Sequence, residues 1–88
     1  MSIVARFEIE YRQCLDAEGQ PVGALPALAE DWPRLRALYQ QMAFVRVFDS
    51  KAIALQRTGK LGTYASCLGH EAAHVAIGAT MRPEDVFC

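Results

Sequence analysis

Between Asp31 and Gly59 the apolar residues Leu35, Leu38, Met42, Val45, Phe48, Ala52 and Leu55 recur at steps of three and four. Side chains spaced in this way share one face of an α-helix, so the pattern predicts a long amphipathic helix here. Asp31 suits the N-cap position. Trp32 and Pro33 then fall in the first turn, where the missing amide proton of proline costs nothing. Gly59 supplies the stop. About 27 residues at 1.5 Å each give roughly 40 Å, more than the width of a compact globule of this chain length, so the helix is expected to lie across a larger body. Arg34, Gln41, Lys51 and Arg57 fall on other faces. Arg46 with Asp49, and Ser50 with Lys51, are assigned to the solvated or inter-subunit face, where an exposed pair contributes only about 0.5 kcal/mol.

Upstream, Phe7, Ile9 and Tyr11 alternate with Glu8, Glu10 and Arg12. This period of two predicts a half-buried strand or an extended arm. Asp16, Gly19, Pro21 and Gly23 suit a turn at which the arm folds back, and "ALPALAED" reads as the loop before the long helix. A second helix is expected over about His70 to Met81. Its alanines, with Val75, Ile77 and Gly78, leave no polar face, which implies burial on more than one side, with His74 as a hydrogen-bonded core histidine. Pro83, Glu84 and Asp85 suit a turn, and Val86, Phe87 and Cys88 read as the start of a strand. The organisation expected is therefore an extended arm and loop over 1–30 and a mainly helical part over 31–88.

Composition narrows the class. With 88 residues there is room for one small domain or a piece of a larger one, yet 52% of the positions are hydrophobic, which suggests apolar surface that other protein covers. Nine Lys and Arg stand against ten Asp and Glu without blocks of either sign, so no nucleic-acid footprint is present. Cys14, Cys67 and Cys88 are odd in number and far apart, which suits free thiols in a reducing cytosol. Charges at Arg6, Glu8, Glu10 and Arg12 interrupt any secretory apolar core, and no long apolar run suits a membrane, so a cytoplasmic location is expected.

The candidate chemistry begins at "GHEAAH", residues 69–74. His70, Glu71 and His74 have the H-E-x-x-H spacing, which on a helix lets two imidazoles hold zinc while the glutamate polarises water. A catalytic zinc needs a third protein ligand. After His74 only Glu84 and Asp85 are available, across a proline turn with little chain to bring them back. Ile77 stands where the extended motif requires glycine, and Gly69 marks a helix start where the zinc signature lies inside a helix. The metal reading of His70, Glu71 and His74 is therefore judged coincidental. Glu71 has a simpler role, as a first-turn carboxylate favoured by the helix dipole and the free amides.

Five further motifs run in order: L-Y-x-x-M at Leu38–Met42, R-x-F-D at Arg46–Asp49, Q-R-x-G-K at Gln56–Lys60, G-x-E-A at Gly69–Ala72 and R-P-x-D-x-F at Arg82–Phe87. With them, residues 38–87 resemble the N-terminal region of the alpha subunit of the thiamine-diphosphate-dependent, decarboxylating component of 2-oxo acid dehydrogenase complexes, of pyruvate or branched-chain type. The arm "LDAEGQPVGALP" resembles the segment before this helix in bacterial members. The resemblance implies an α/β thiamine-diphosphate-binding fold for the complete parent, of which this mainly α portion with its extended arm would be the N-terminal part. It also implies a heterotetramer with a beta subunit and a second alpha subunit, docked on the acyltransferase core of the complex.

By the same resemblance, thiamine diphosphate supplies the ylid that attacks the 2-oxo carbon, with magnesium at its diphosphate. The family's G-D-G motif and Tyr-Arg pair, which hold that group, are absent from these residues. No cofactor is therefore expected on this stretch alone, and no catalysis by it alone. The loop Thr63, Tyr64, Ala65 and Ser66 matches the family segment that approaches the thiazolium and substrate, with Thr63 where members often carry an aromatic residue. Cys67 is read as an inert thiol. An alternative from a different class is a free-standing helical interaction module derived from the same family.

Overall fold

A computed structural model describes all residues, 1–88. Its regular structure is helical: a 3-10 turn at Ala27–Glu30, then α1 at Trp32–Arg57 and α2 at Glu71–Thr80. The Asp31 side chain accepts from the Arg34 amide at 3.2 Å and so satisfies one of the orphan donors at the start of α1. At the far end Gly59 takes φ of 75°, a left-handed conformation that side chains resist. This lets the Gly59 amide reach Gln56 O at 3.0 Å and the Lys60 amide reach Leu55 O at 2.9 Å, the paired bonds of a glycine C-cap. Both ends of α1 therefore follow the sequence pattern, while "ALAE" winds into a 3-10 turn where a loop was expected.

Asp16 makes the upstream turn. Its Oδ1 accepts from the amides of Glu18 at 3.0 Å and Gln20 at 2.7 Å, and an antiparallel bridge joins Leu15 to Pro21. The arm folds back as the turn residues imply, but residues 1–13 form no strand. Phe7, Ile9 and Tyr11 are exposed rather than half-buried. Val86, Phe87 and Cys88 likewise form no strand, although the turn before them closes through Asp85 N to Arg82 O at 3.0 Å and Arg82 N to Asp85 Oδ2 at 2.8 Å. The physical reason is shared: a strand is held by ladder bonds to a neighbour, and nothing in these 88 residues lies alongside either segment.

Helix α2 packs against α1 on one side only, burying Glu71 and Val75. Its other faces are exposed, which corrects the expectation of burial all round, and His74 is exposed rather than buried. Only four residues of the chain are buried, Asp49, Ala52, Glu71 and Val75, and two of them are carboxylates. The interior is thus organised by ion and hydrogen bonds at least as much as by apolar contact. The radius of gyration is 18.9 Å, against about 12 Å for a compact domain of this length, because α1 is about 39 Å long and little is wrapped around it.

Two glycines should respond oppositely to alanine. At Gly59 the left-handed backbone makes Gly59→Ala destabilise the end of α1 by about 1 kcal/mol. Gly78 lies within α2 with open space where a Cβ would sit, so Gly78→Ala should raise helicity, contributing about 0.5–1 kcal/mol. Far-UV circular dichroism of the chain through a thermal ramp measures both.

Candidate functional site

Arg46, Asp49 and Ala52 stand three residues apart on α1, so their side chains share a face, and that face meets α2 and the loop before it. Asp49 is 4% exposed. A buried carboxylate is costly unless its oxygens are satisfied, and here the loop satisfies them. The Tyr64 hydroxyl donates to Oδ1 at 2.8 Å, the Cys67 amide to Oδ1 at 2.8 Å, and the Ser66 hydroxyl to Oδ2 at 2.8 Å. The Cys67 thiol lies 3.4 Å from Oδ1, and the Leu68 amide in turn donates to Ser66 Oγ at 3.2 Å. The Tyr64 ring meets Phe48 edge-on, with centroids 6.4 Å apart, so the aromatic side chain is held from two directions.

The second buried carboxylate closes the other end. Glu71, in the first turn of α2, receives the Nε–H of Arg46. The two helices are thereby joined by an ion pair that the sequence pattern missed, because polar residues on an amphipathic helix read as solvent-facing. Asp49 does not decorate a solvated face, whereas the Arg46 side chain is 58% exposed and reaches Glu71 from the rim of the contact. Both stand at the junction of α1, the loop and α2, and the burial of Asp49 corrects its assignment to a solvated or inter-subunit face. A usable signal was present: Asp49 sits three residues before Ala52, inside the stripe of small and apolar side chains.

Of the loop residues expected at a site, the structure brings Tyr64 and Ser66 onto Asp49, while Thr63 and Ala65 are exposed beside them. The electrostatics follow from the contacts. The Cys67 amide, then the Ser66 hydroxyl, hold the Asp49 carboxyl down at about 2, and the Asp49 acceptor pushes the Tyr64 phenol up to about 12. Burial, and next the neighbouring Asp49 carboxylate, push the Cys67 thiol up, which keeps it protonated and unreactive. Arg46 above all holds Glu71 below the ordinary carboxyl range. Near neutral pH, Asp49 is an acceptor and Tyr64 a donor. Neither is poised to exchange a proton.

His70 and His74 stack with ring centroids 6.1 Å apart, and Glu71 between them in sequence is turned onto Arg46. The glutamate of the H-E-x-x-H letters is therefore committed to an ion pair. No group of three or more His, Cys, Asp or Glu is placed to hold a metal ion. A diphosphate with its divalent cation does not fit this donor set either. The hydroxyls of Tyr64 and Ser66 are spent on Asp49, and the N-terminal turn of α2 is faced by its own Glu71 carboxylate.

These contacts set a pH dependence with two limbs. Asp49 has its folded-state pKa lowered, so its contribution is present above the ordinary value of 3.8 and disappears as pH falls toward about 2. Tyr64 has its pKa raised, so its contribution is full below 10.0 and disappears as pH rises toward about 12. Hydrogen exchange at the amides of residues 64–68 should accelerate beyond its intrinsic pH dependence in both windows. The alkaline limb should be missing in Tyr64→Phe.

Comparison with known proteins agrees with this arrangement of motifs. Residues 39–88 match the family model described as "Dehydrogenase E1 component". The chain is 37% identical over 86 residues to the pyruvate dehydrogenase E1 component subunit alpha of Bacillus cereus, covering 96% of this chain and 22% of that relative. It is 39% identical over 75 residues to the subunit of the same name from Bacillus subtilis (strain 168), covering 83% of this chain and 20% of the relative. It is 36% identical over 80 residues to a 3-methyl-2-oxobutanoate dehydrogenase subunit alpha of Mycobacterium tuberculosis, covering 89% of this chain and 22% of the relative. The chain thus spans about a fifth of the length of the curated relatives it matches. No solved structure matches it. With more than half of its residues on the family model and its motifs in order, the chain belongs to the dehydrogenase E1 component family.

Proposed function

We propose that these residues form the N-terminal part of the alpha subunit of a thiamine-diphosphate-dependent 2-oxo acid dehydrogenase, acting on pyruvate by oxidative decarboxylation. Within it, residues 1–30 are an arm and loop that reach other protein, and residues 31–88 are the first helical layer of an α/β thiamine-binding domain. The loop Thr63–Ser66 faces the reacting centre. Thiamine diphosphate and magnesium are held by residues other than these 88, since the donor set here does not suit them.

The observation that carries the reading is the clasp on Asp49. A loop fixed to a long helix through two hydroxyls and a backbone amide has the rigidity that sites on loops require. The exposed apolar residues fit assembly with a beta subunit, a second alpha subunit and the acyltransferase core: Phe7, Ile9 and Tyr11 on the arm, Phe44 and Val47 on α1, and Phe87. None of the helices is long and apolar enough to cross a membrane.

The test is a reconstitution. The complete alpha subunit bearing these residues, mixed with its beta subunit, magnesium and thiamine diphosphate, should oxidise pyruvate with release of carbon dioxide and reduction of an artificial electron acceptor. A turnover on the order of 10 per second is expected. Either subunit alone should be inactive. If no 2-oxo acid is consumed by the mixture, the enzyme reading fails and the residues serve as a helical interaction module.

A further inference from the structure

We propose that Asp49 is the positioning residue that sets the conformation of loop 62–66, and through it the enzyme's preference among 2-oxo acid side chains. The inference rests on the functional reading above and assigns a role to a buried residue that the loop itself covers with its donors. Asp49 belongs to the body of α1, whose capped ends and helical bonds make it a fixed point. Its two oxygens take two of the three hydroxyls between Gly62 and Cys67, those of Tyr64 and Ser66 but not that of Thr63, together with the Cys67 amide. What the loop has left to present is the Thr63 side chain, the Ala65 methyl and the backbone between them, all exposed. The Tyr64 hydroxyl is committed to Asp49, so Tyr64 serves to hold the loop.

The consequence is geometric. A charged acceptor that gathers three donors within 2.8 Å holds them in one arrangement, and the Phe48–Tyr64 contact opposes rotation of the ring out of it. Changing the acceptor moves the Thr63–Ala65 backbone as a unit. A displacement of about 1 Å at a substrate-facing segment alters rates by up to about a hundredfold, and it does so unequally for substrates of different width. The carboxylate is ionised across the working pH range, so the clasp does not relax with ordinary changes of pH.

The experiment compares kcat/KM for pyruvate and for 3-methyl-2-oxobutanoate in the assembled enzyme carrying Asp49→Asn, Asp49→Ala or Tyr64→Phe. The ratio of the two values is the readout, because partial unfolding lowers both equally and leaves it unchanged. Asp49→Ala should shift the ratio about tenfold or more. Asp49→Asn keeps one carbonyl acceptor for Tyr64 and Cys67 but cannot accept from Ser66 through its amide nitrogen, so its shift should be smaller. Tyr64→Phe keeps the ring packing and two of the three 2.8 Å bonds and should change the ratio less than about twofold. An unchanged ratio in Asp49→Ala, or a larger loss of turnover in Tyr64→Phe than in Asp49→Asn, overturns the proposal while the wild-type enzyme remains active. A wild-type enzyme inactive toward both substrates would sink the functional reading beneath it.

Discussion

Two buried carboxylates need partners, and that requirement organises this chain. An unpaired charge taken out of water is among the costliest features a fold can carry, so Asp49 and Glu71 persist in the interior only because specific donors come to them. Asp49 draws in Tyr64, Ser66 and Cys67 from the loop, and Glu71 draws in Arg46 from α1. The connection between the helices, which would otherwise be a mobile link across a sparse interface, is thereby tied down at both ends.

The same bonds explain why Tyr64 and Ser66 matter without being reactive. Their hydroxyls are occupied, one pointing at each oxygen of the acid, and the phenol is driven further from ionisation by the contact that holds it. These two side chains hold the loop in shape rather than stand ready to exchange protons. The H-E-x-x-H letters illustrate the point from the opposite side: the spacing of His70, Glu71 and His74 suits a metal, but the glutamate's orientation is decided by Arg46, twenty-five residues upstream.

Local signals in the chain were read directly. The N-cap Asp31, the apolar stripe of α1, the glycine stop at Gly59 and the Asp16 turn each depend on residues within a few positions of one another. Two strand-like patterns, at Phe7–Tyr11 and at Val86–Cys88, were real as patterns yet formed no strand, because alternation states a willingness to pair and cannot supply the neighbour. The burial expected around α2 failed in the same way, since α1 covers one face of the helix and leaves its alanines exposed.

By itself, then, the sequence determined where helices start and stop, which turns close, and to which family the ordered motifs point, since these rest on short-range backbone chemistry and on residue identity. Only the tertiary structure decided that Asp49 faces inward, that Tyr64 and Ser66 share one acceptor, and that Glu71 is buried in an ion pair with Arg46. The reason is physical: a polar side chain on a helix has the same local preference whether it meets water or a distant donor, and only the arrival of a partner from 15 to 25 residues away makes burial the lower-energy choice.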